Sequence, residues 1–168
     1  MRYIILLPLL FLTPFLNAQN NIIVDPYLDR EILYGTCNIE DFQQEPFADW
    51  YNEEYSAYEV DRAALQHIDA QELENLEITV VLGTWCHDSQ REVPRFLKVA
   101  DTLGLGPNHL TLLCVDRKKQ MEGTVLQDLD IQYVPTFIFY RDDKEIGRII
   151  ESPDAYLEKD IANILTFE

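Results

Sequence analysis

The apolar positions change period along the chain. Between residues 40 and 58, Phe42, Phe47, Trp50, Tyr51, Tyr55 and Tyr58 recur every three to five residues with acids between them. That spacing predicts an amphipathic helical region whose aromatic stripe packs on the rest of the domain, with Pro46 near a turn. Residues 61–76 keep Ala64, Leu65, Ile68 and Leu73 near one face behind Asp61, a fair N-cap, and predict a second helix. The run Ile78-Thr79-Val80-Val81-Leu82 is β-branched and continuously apolar, as expected of a strand covered on both faces. A long helix follows Cys86 to about Leu103, and residues 110–115 predict another buried strand. Residues 124–129 predict a short helix.

Two strands, 136–140 and 145–150, are joined by Arg141-Asp142-Asp143-Lys144, a hairpin-length connection that makes them antiparallel. Residues 153–167 predict a last helix, with Ser152 as its N-cap and Pro153 in its first turn. Residues 20–34 show no clear period. Helices, a βαβ unit, a hairpin and a helix add up to an α/β domain without repeats or a linker.

The first residues read differently. Arg2 precedes an apolar run, residues 4–16, that is broken by Pro8 and Pro14 and followed by Ala18. This is the layout of a secretory signal peptide, expected at residues 1–18 with cleavage near Gln19. It leaves an N-terminal helical extension at 19–76 and a second unit at 77–168. The expected location is exported, periplasmic or secreted, with no membrane span in the mature chain.

The 168 residues include 30 acids and 13 bases, a formal net charge of -17. A chain so acidic is repelled by phosphate backbones, so nucleic acid is not an expected partner. Three cysteines, Cys37, Cys86 and Cys114, are too few for a disulfide-built scaffold, and an odd number leaves at least one thiol unpaired within the chain. Cys114 lies in an apolar strand and reads as core. Cys37 follows Tyr34-Gly35-Thr36 in what reads as an accessible loop. His67 and His109 have no acid or cysteine at metal-ligand spacing, and adjacent Cys86 and His87 diverge at a helix start. No metal and no cofactor are expected.

Cys86 is the chemical candidate. It stands where a buried strand hands over to a helix, beside free backbone N–H groups and the positive end of the helix dipole, which favour a thiolate. Ser89, one turn on, is placed to present its hydroxyl to that sulfur. Trp85 would shield one side, a protonated His87 would support negative charge, and Asp88 would oppose it.

The phrase Leu82-Gly83-Thr84-Trp85-Cys86-His87-Asp88-Ser89 resembles exported bacterial proteins of the thioredoxin-like superfamily. Trp-Cys-x-x-Ser is similar to that family's active-site motif with serine in place of the second cysteine. Pro94 stands where the family's helix carries a proline, and Val134-Pro135-Thr136 resembles its cis-proline loop. The resemblance covers residue 78 to the C-terminus. It implies a thioredoxin fold, a central mixed sheet flanked by helices, and catalytic roles for Cys86 and Ser89, with Trp85, His87, Asp88, Val134 and Pro135 shaping the site. Three departures stand out, one being that residues 20–76 have no counterpart in a minimal thioredoxin. Ser89 cannot resolve a mixed disulfide, and Val80 occupies the place of a buried acid.

The expected activity is therefore monothiol thiol–disulfide oxidoreduction on a protein or small-molecule disulfide. An external thiol donor, or Cys37 as candidate resolving thiol, would release the product. The alternative is a non-catalytic thioredoxin-fold module that holds a peptide or protein.

Overall fold

The computed structural model describes residues 21–121, 126 and 128–166. The expected signal peptide lies outside these residues, as does half of the helix expected at 124–129, whose described residues 126, 128 and 129 are turns and not helix. Strands β1 (Ile22–Asp25) and β2 (Arg30–Leu33) pair antiparallel as a two-stranded ribbon. Strand β3 (Gly35–Cys37) follows at once, then helices α1 (Ile39–Phe42) and α2 (Ala48–Ala57). The main body continues with β4 (Leu76–Leu82), α3 (His87–Leu103), β5 (Leu110–Cys114), β6 (Thr136–Arg141), β7 (Lys144–Ile150) and α4 (Leu157–Thr166).

The five strands of the main sheet lie in the order β3-β5-β4-β6-β7. β4 and β5 run parallel, linked through α3, while the β4–β6, β6–β7 and β3–β5 pairs are antiparallel. A mixed sheet with helices packed on it is the thioredoxin fold that the sequence led us to expect. Alternation along β4 divides the core. Leu76, Ile78, Val80 and Leu82 face the helices, while Val81 joins Leu113, Val115 and Val134 on the opposite face. At the turn between β6 and β7, Asp142 and Asp143 both adopt positive φ, 49° and 61°. A right-handed two-stranded ribbon favours that geometry, and aspartate tolerates it. Helix α3 ends on Gly104 at φ 77°, the left-handed cap that glycine adopts without a Cβ penalty.

The expected helical extension over 19–76 needs correction. Its first part is the β1–β2 ribbon, turned by Asp25, whose carboxylate accepts the N–H groups of Tyr27 and Leu28. Its next part, β3, is an edge strand of the main sheet rather than a loop. The expected helix at 61–76 is a series of turns. Asp61 Oδ1 accepts from the backbone of Ala63 and Ala64, and Asp69 Oδ1 from that of Gln71. Such local bonds offer the backbone an alternative to the helical ladder. Only the aromatic stretch is helical, as α1 and α2 interrupted around Pro46. Phe42, Phe47 and Tyr51 are buried in the same core as β4 and α3. The last helix begins later than expected, because Glu151 adopts φ 60° and the first helical turn closes on the carbonyl of Tyr156. Ser152 and Pro153 therefore precede it.

Tyr51 stacks between Phe42 and Tyr55, and the Tyr55 hydroxyl donates to Asp101 on α3. Burial, then the nearby Tyr55 and Asp101, push the Tyr51 phenol from 10 up to about 12. A folded value above the unfolded one means this contribution is complete below pH 10 and lost as pH rises toward 12. Discounted for solvent screening, it is worth about 1–2 kcal/mol. Denaturant midpoints measured across that window should fall, and Tyr51→Phe should fall less steeply. Equal slopes would remove Tyr51 from the account.

Candidate functional site

The residues that end β4 build the site. Cys86 is the N-cap of α3, with extended backbone (φ -92°, ψ 127°). Its amide donates to Gly83 O at 2.8 Å, and its carbonyl accepts from Gln90 N at 3.0 Å. The half-buried thiol donates to Val134 O at 3.3 Å, on the cis Val134–Pro135 peptide bond. β6 starts at the next residue, so pairing of β4 with β6 brings the Cys86 turn and the Pro135 loop together across 48 residues of chain. Pro135 is itself tied down, its carbonyl accepting from Glu151 N at 2.7 Å.

Ser89 is not where we expected it. It is 0% exposed, and its Oγ accepts from Gly83 N at 3.2 Å. Its hydroxyl closes the strand-to-helix turn from beneath and makes no bond to the Cys86 sulfur. A buried N–H costs more unpaired than a cysteine gains from one weak donor, so the serine serves the backbone.

Trp85 lies over the same turn. Its Nε1 donates to Val115 O at 2.8 Å, and a Cβ at Gly83 would stand 2.5 Å from the indole. Only glycine at 83 leaves room for that ring. Asp88 pairs with Arg91 at 3.1 Å, which offsets its charge beside Cys86, and His87 is exposed in the first turn of α3. Val80 is fully buried among apolar neighbours, so no acid stands at that position beneath the site.

Cys37 is not in an accessible loop. It is 4% exposed in β3, opposite Leu112, which in turn registers with Val80. Two strand spacings put it about 10 Å from β4, level with a residue well short of Cys86. A disulfide needs Cβ atoms about 4 Å apart, so Cys37 cannot resolve a mixed disulfide at Cys86 without displacing the edge strand. Its thiol donates to Gly35 O at 3.5 Å, and beside it Cys114, 0% exposed, has its thiol pushed well up by burial and then by Cys37. Cys114 is core, as expected.

The ribbon adds contacts that the motif does not announce. Leu33 N donates to Thr84 Oγ1 at 3.1 Å, and Arg30 Nη2 donates to Trp85 O at 3.3 Å. From the other side, the Arg117 guanidinium lies 5.8 Å from the Trp85 ring centre. Thr84, Arg30 and Arg117 were not singled out in the sequence. Arg30 lies 55 residues from its contact, and nothing local marks it.

No protein-family model and no curated protein matches the chain. Solved structures do. A protein of unknown function from Pseudomonas aeruginosa is 20% identical, with 70% of this chain and 78% of that chain covered and a TM-score of 0.44. The germline-specific thioredoxin Deadhead from Drosophila melanogaster is 18% identical over 56% of this chain and 82% of its own, TM-score 0.38. A Plasmodium falciparum thioredoxin is 20% identical over 56% and 80%, TM-score 0.37. The sheet order and the Cys86–Val134 contact define the class: a thioredoxin-fold protein with a single cysteine at the strand-to-helix turn.

Proposed function

We propose that this chain is an exported monothiol thiol–disulfide oxidoreductase acting through Cys86. One observation carries the reading: a half-exposed thiol at the N-cap of α3, held against the carbonyl that precedes Pro135. The helix N-terminus supplies backbone N–H groups where negative charge develops on sulfur. The Cys86 thiolate attacks one sulfur of a substrate disulfide. A Cys86–substrate disulfide forms, and the other substrate sulfur leaves as thiolate and takes a proton from water. A donor thiolate then attacks the Cys86 sulfur and frees the second substrate thiol. A second donor thiol releases Cys86 as the donor disulfide forms. Two donor thiols are oxidised for each substrate disulfide reduced. Export rests on the Arg2 start, the Pro-broken apolar run and Ala18, and places mature chains at a start near Gln19.

The test uses mature chain from its native host, whose intact mass gives the N-terminus. Incubation with hydroxyethyl disulfide, followed by peptide mapping, should find the adduct on Cys86 and none on buried Cys37 or Cys114. A chain beginning at Met1 would refute cleavage. If folded protein takes no adduct at Cys86 while denatured protein does, the non-catalytic peptide-binding module becomes the reading.

A further inference from the structure

Two of the three thiols take no part in the chemistry proposed for Cys86, and they lie beside each other. Cys37 is on β3 and Cys114 on β5, and the antiparallel register sets Gly35 opposite Cys114 and Cys37 opposite Leu112. Side chains alternate across a sheet, so Cys37, Leu112 and Cys114 share one face, and all three belong to the same buried core. The residue directly across from Cys114 is a glycine, so no side chain fills that place on β3. Cys37 leans toward it, its thiol donating to Gly35 O at 3.5 Å. The two sulfurs are thereby neighbours, and Cys37 stands second only to burial among the causes that push the Cys114 thiol up.

We infer that Cys37 and Cys114 are a redox pair that closes to a disulfide, fastening the edge strand β3 to β5 and leaving Cys86 as the free thiol of the oxidised chain. The oxidant is a low-molecular-weight disulfide. The Cys37 thiolate attacks one of its sulfurs, and the other leaves as a thiol. Cys114 then gives up its proton and attacks the Cys37 sulfur, and the second half of the reagent leaves. One reagent disulfide becomes two thiols while the two cysteines together lose two electrons and two protons.

The fold sets the order of these steps. β3 is three residues long and pairs with β5 alone among the described strands, so it frays locally while the rest of the sheet stays paired. Cys114 lies in a strand paired on both sides, and a thiol held protonated by burial is a poor first nucleophile. A diagonal pair starts near the upper end of the Cα separation that a disulfide spans, and the edge strand supplies the remaining shift. The bond would also act near the site. Only Tyr34 separates β3 from β2, which meets the Cys86 turn through Leu33 to Thr84 and Arg30 to Trp85. Closing the pair therefore pins the foot of the ribbon without needing turnover at Cys86.

The test uses the mature chain carrying Cys86→Ser, reduced and then held folded with oxidised glutathione. Its intact mass should fall by two hydrogens with no glutathione retained, and a non-reducing peptide map should show Cys37 joined to Cys114. Adding Cys37→Ala or Cys114→Ala should abolish the loss. The unfolded-to-folded ratio, read from denaturant curves, should drop by roughly a hundredfold on closure and return on reduction, the typical gain from such a cross-link. Glutathione retained on either cysteine, or two thiols that still take an alkylating reagent after unfolding, would overturn the inference. A linked chain no more stable than the reduced one would overturn it too, because the bond would then distort β3 rather than fasten it. Linkage in Cys86→Ser, with no hydroxyethyl adduct at Cys86 in the parent chain, keeps the pair and sinks the proposed activity.

Discussion

Ser89→Cys should convert a protein that holds its mixed disulfide into one that releases it unaided. The two positions lie one helical turn apart at the start of α3, and a thiolate there would attack the Cys86 sulfur from within the molecule. Intramolecular attack replaces a bimolecular step, so release without added thiol should rise by roughly a hundredfold or more. There is a cost. Ser89 Oγ accepts from Gly83 N in a fully buried turn, and sulfur is a poorer acceptor, so stability should drop by about 1 kcal/mol. Quenched time courses resolved by mass, on parent chain, Ser89→Cys and Cys37→Ser, give the answer. Cys37→Ser should behave as the parent does, because Cys37 sits two strands away beside Cys114. Release by the parent chain without a donor would show that another group resolves the intermediate. A Ser89→Cys variant that keeps its adduct would show that the turn cannot bring the two sulfurs together.

Phe96→Ala has the largest expected effect on stability. Phe96 lies 1% exposed on the inner face of α3, 4.5 Å between ring centres from Phe137 and 6.1 Å from Phe139. Those rings belong to β6, so this contact joins the element that begins at Cys86 to the one that begins after Pro135. Removing the ring should cost about 3–5 kcal/mol, a large part of the roughly 5–15 kcal/mol typical of a whole domain. Phe96→Leu should lose much less, because most of the volume remains. Denaturant midpoints at constant m-value measure both. A loss below about 1 kcal/mol would mean the core collapses onto the gap and the helix is held elsewhere.

The main units were legible in local pattern. A β-branched apolar run of this length is best buried as a central strand, and β4 is one. A short polar connection between two strands leaves little choice but an antiparallel pair, as β6 and β7 are, with Arg141 and Lys144 already paired and only Asp142 and Asp143 in the turn. The cysteine at the end of that strand and the proline at residue 135 could likewise be read from their neighbours in sequence. Each signal depends on residues a few positions apart, and the chain satisfies it locally.

What the sequence could not decide were partnerships between distant residues. The apolar spacing over residues 61–76 suits a helix, yet Asp61 and Asp69 capture their own backbone there. That competition is settled only by what else those turns pack against. Ser89 faces Gly83 because the helix must pack its inner side on β4, which turns the hydroxyl inward. Cys37 lies in an edge strand because β5 offers an open ladder, and burial there takes it away from Cys86. Arg30 reaches Trp85 because β2 docks on the Cys86 turn. Sequence alone named the candidate sulfur, and tertiary packing chose its neighbours. A hydrogen bond between residues some 50 positions apart is decided by burial of the whole sheet and leaves no local trace.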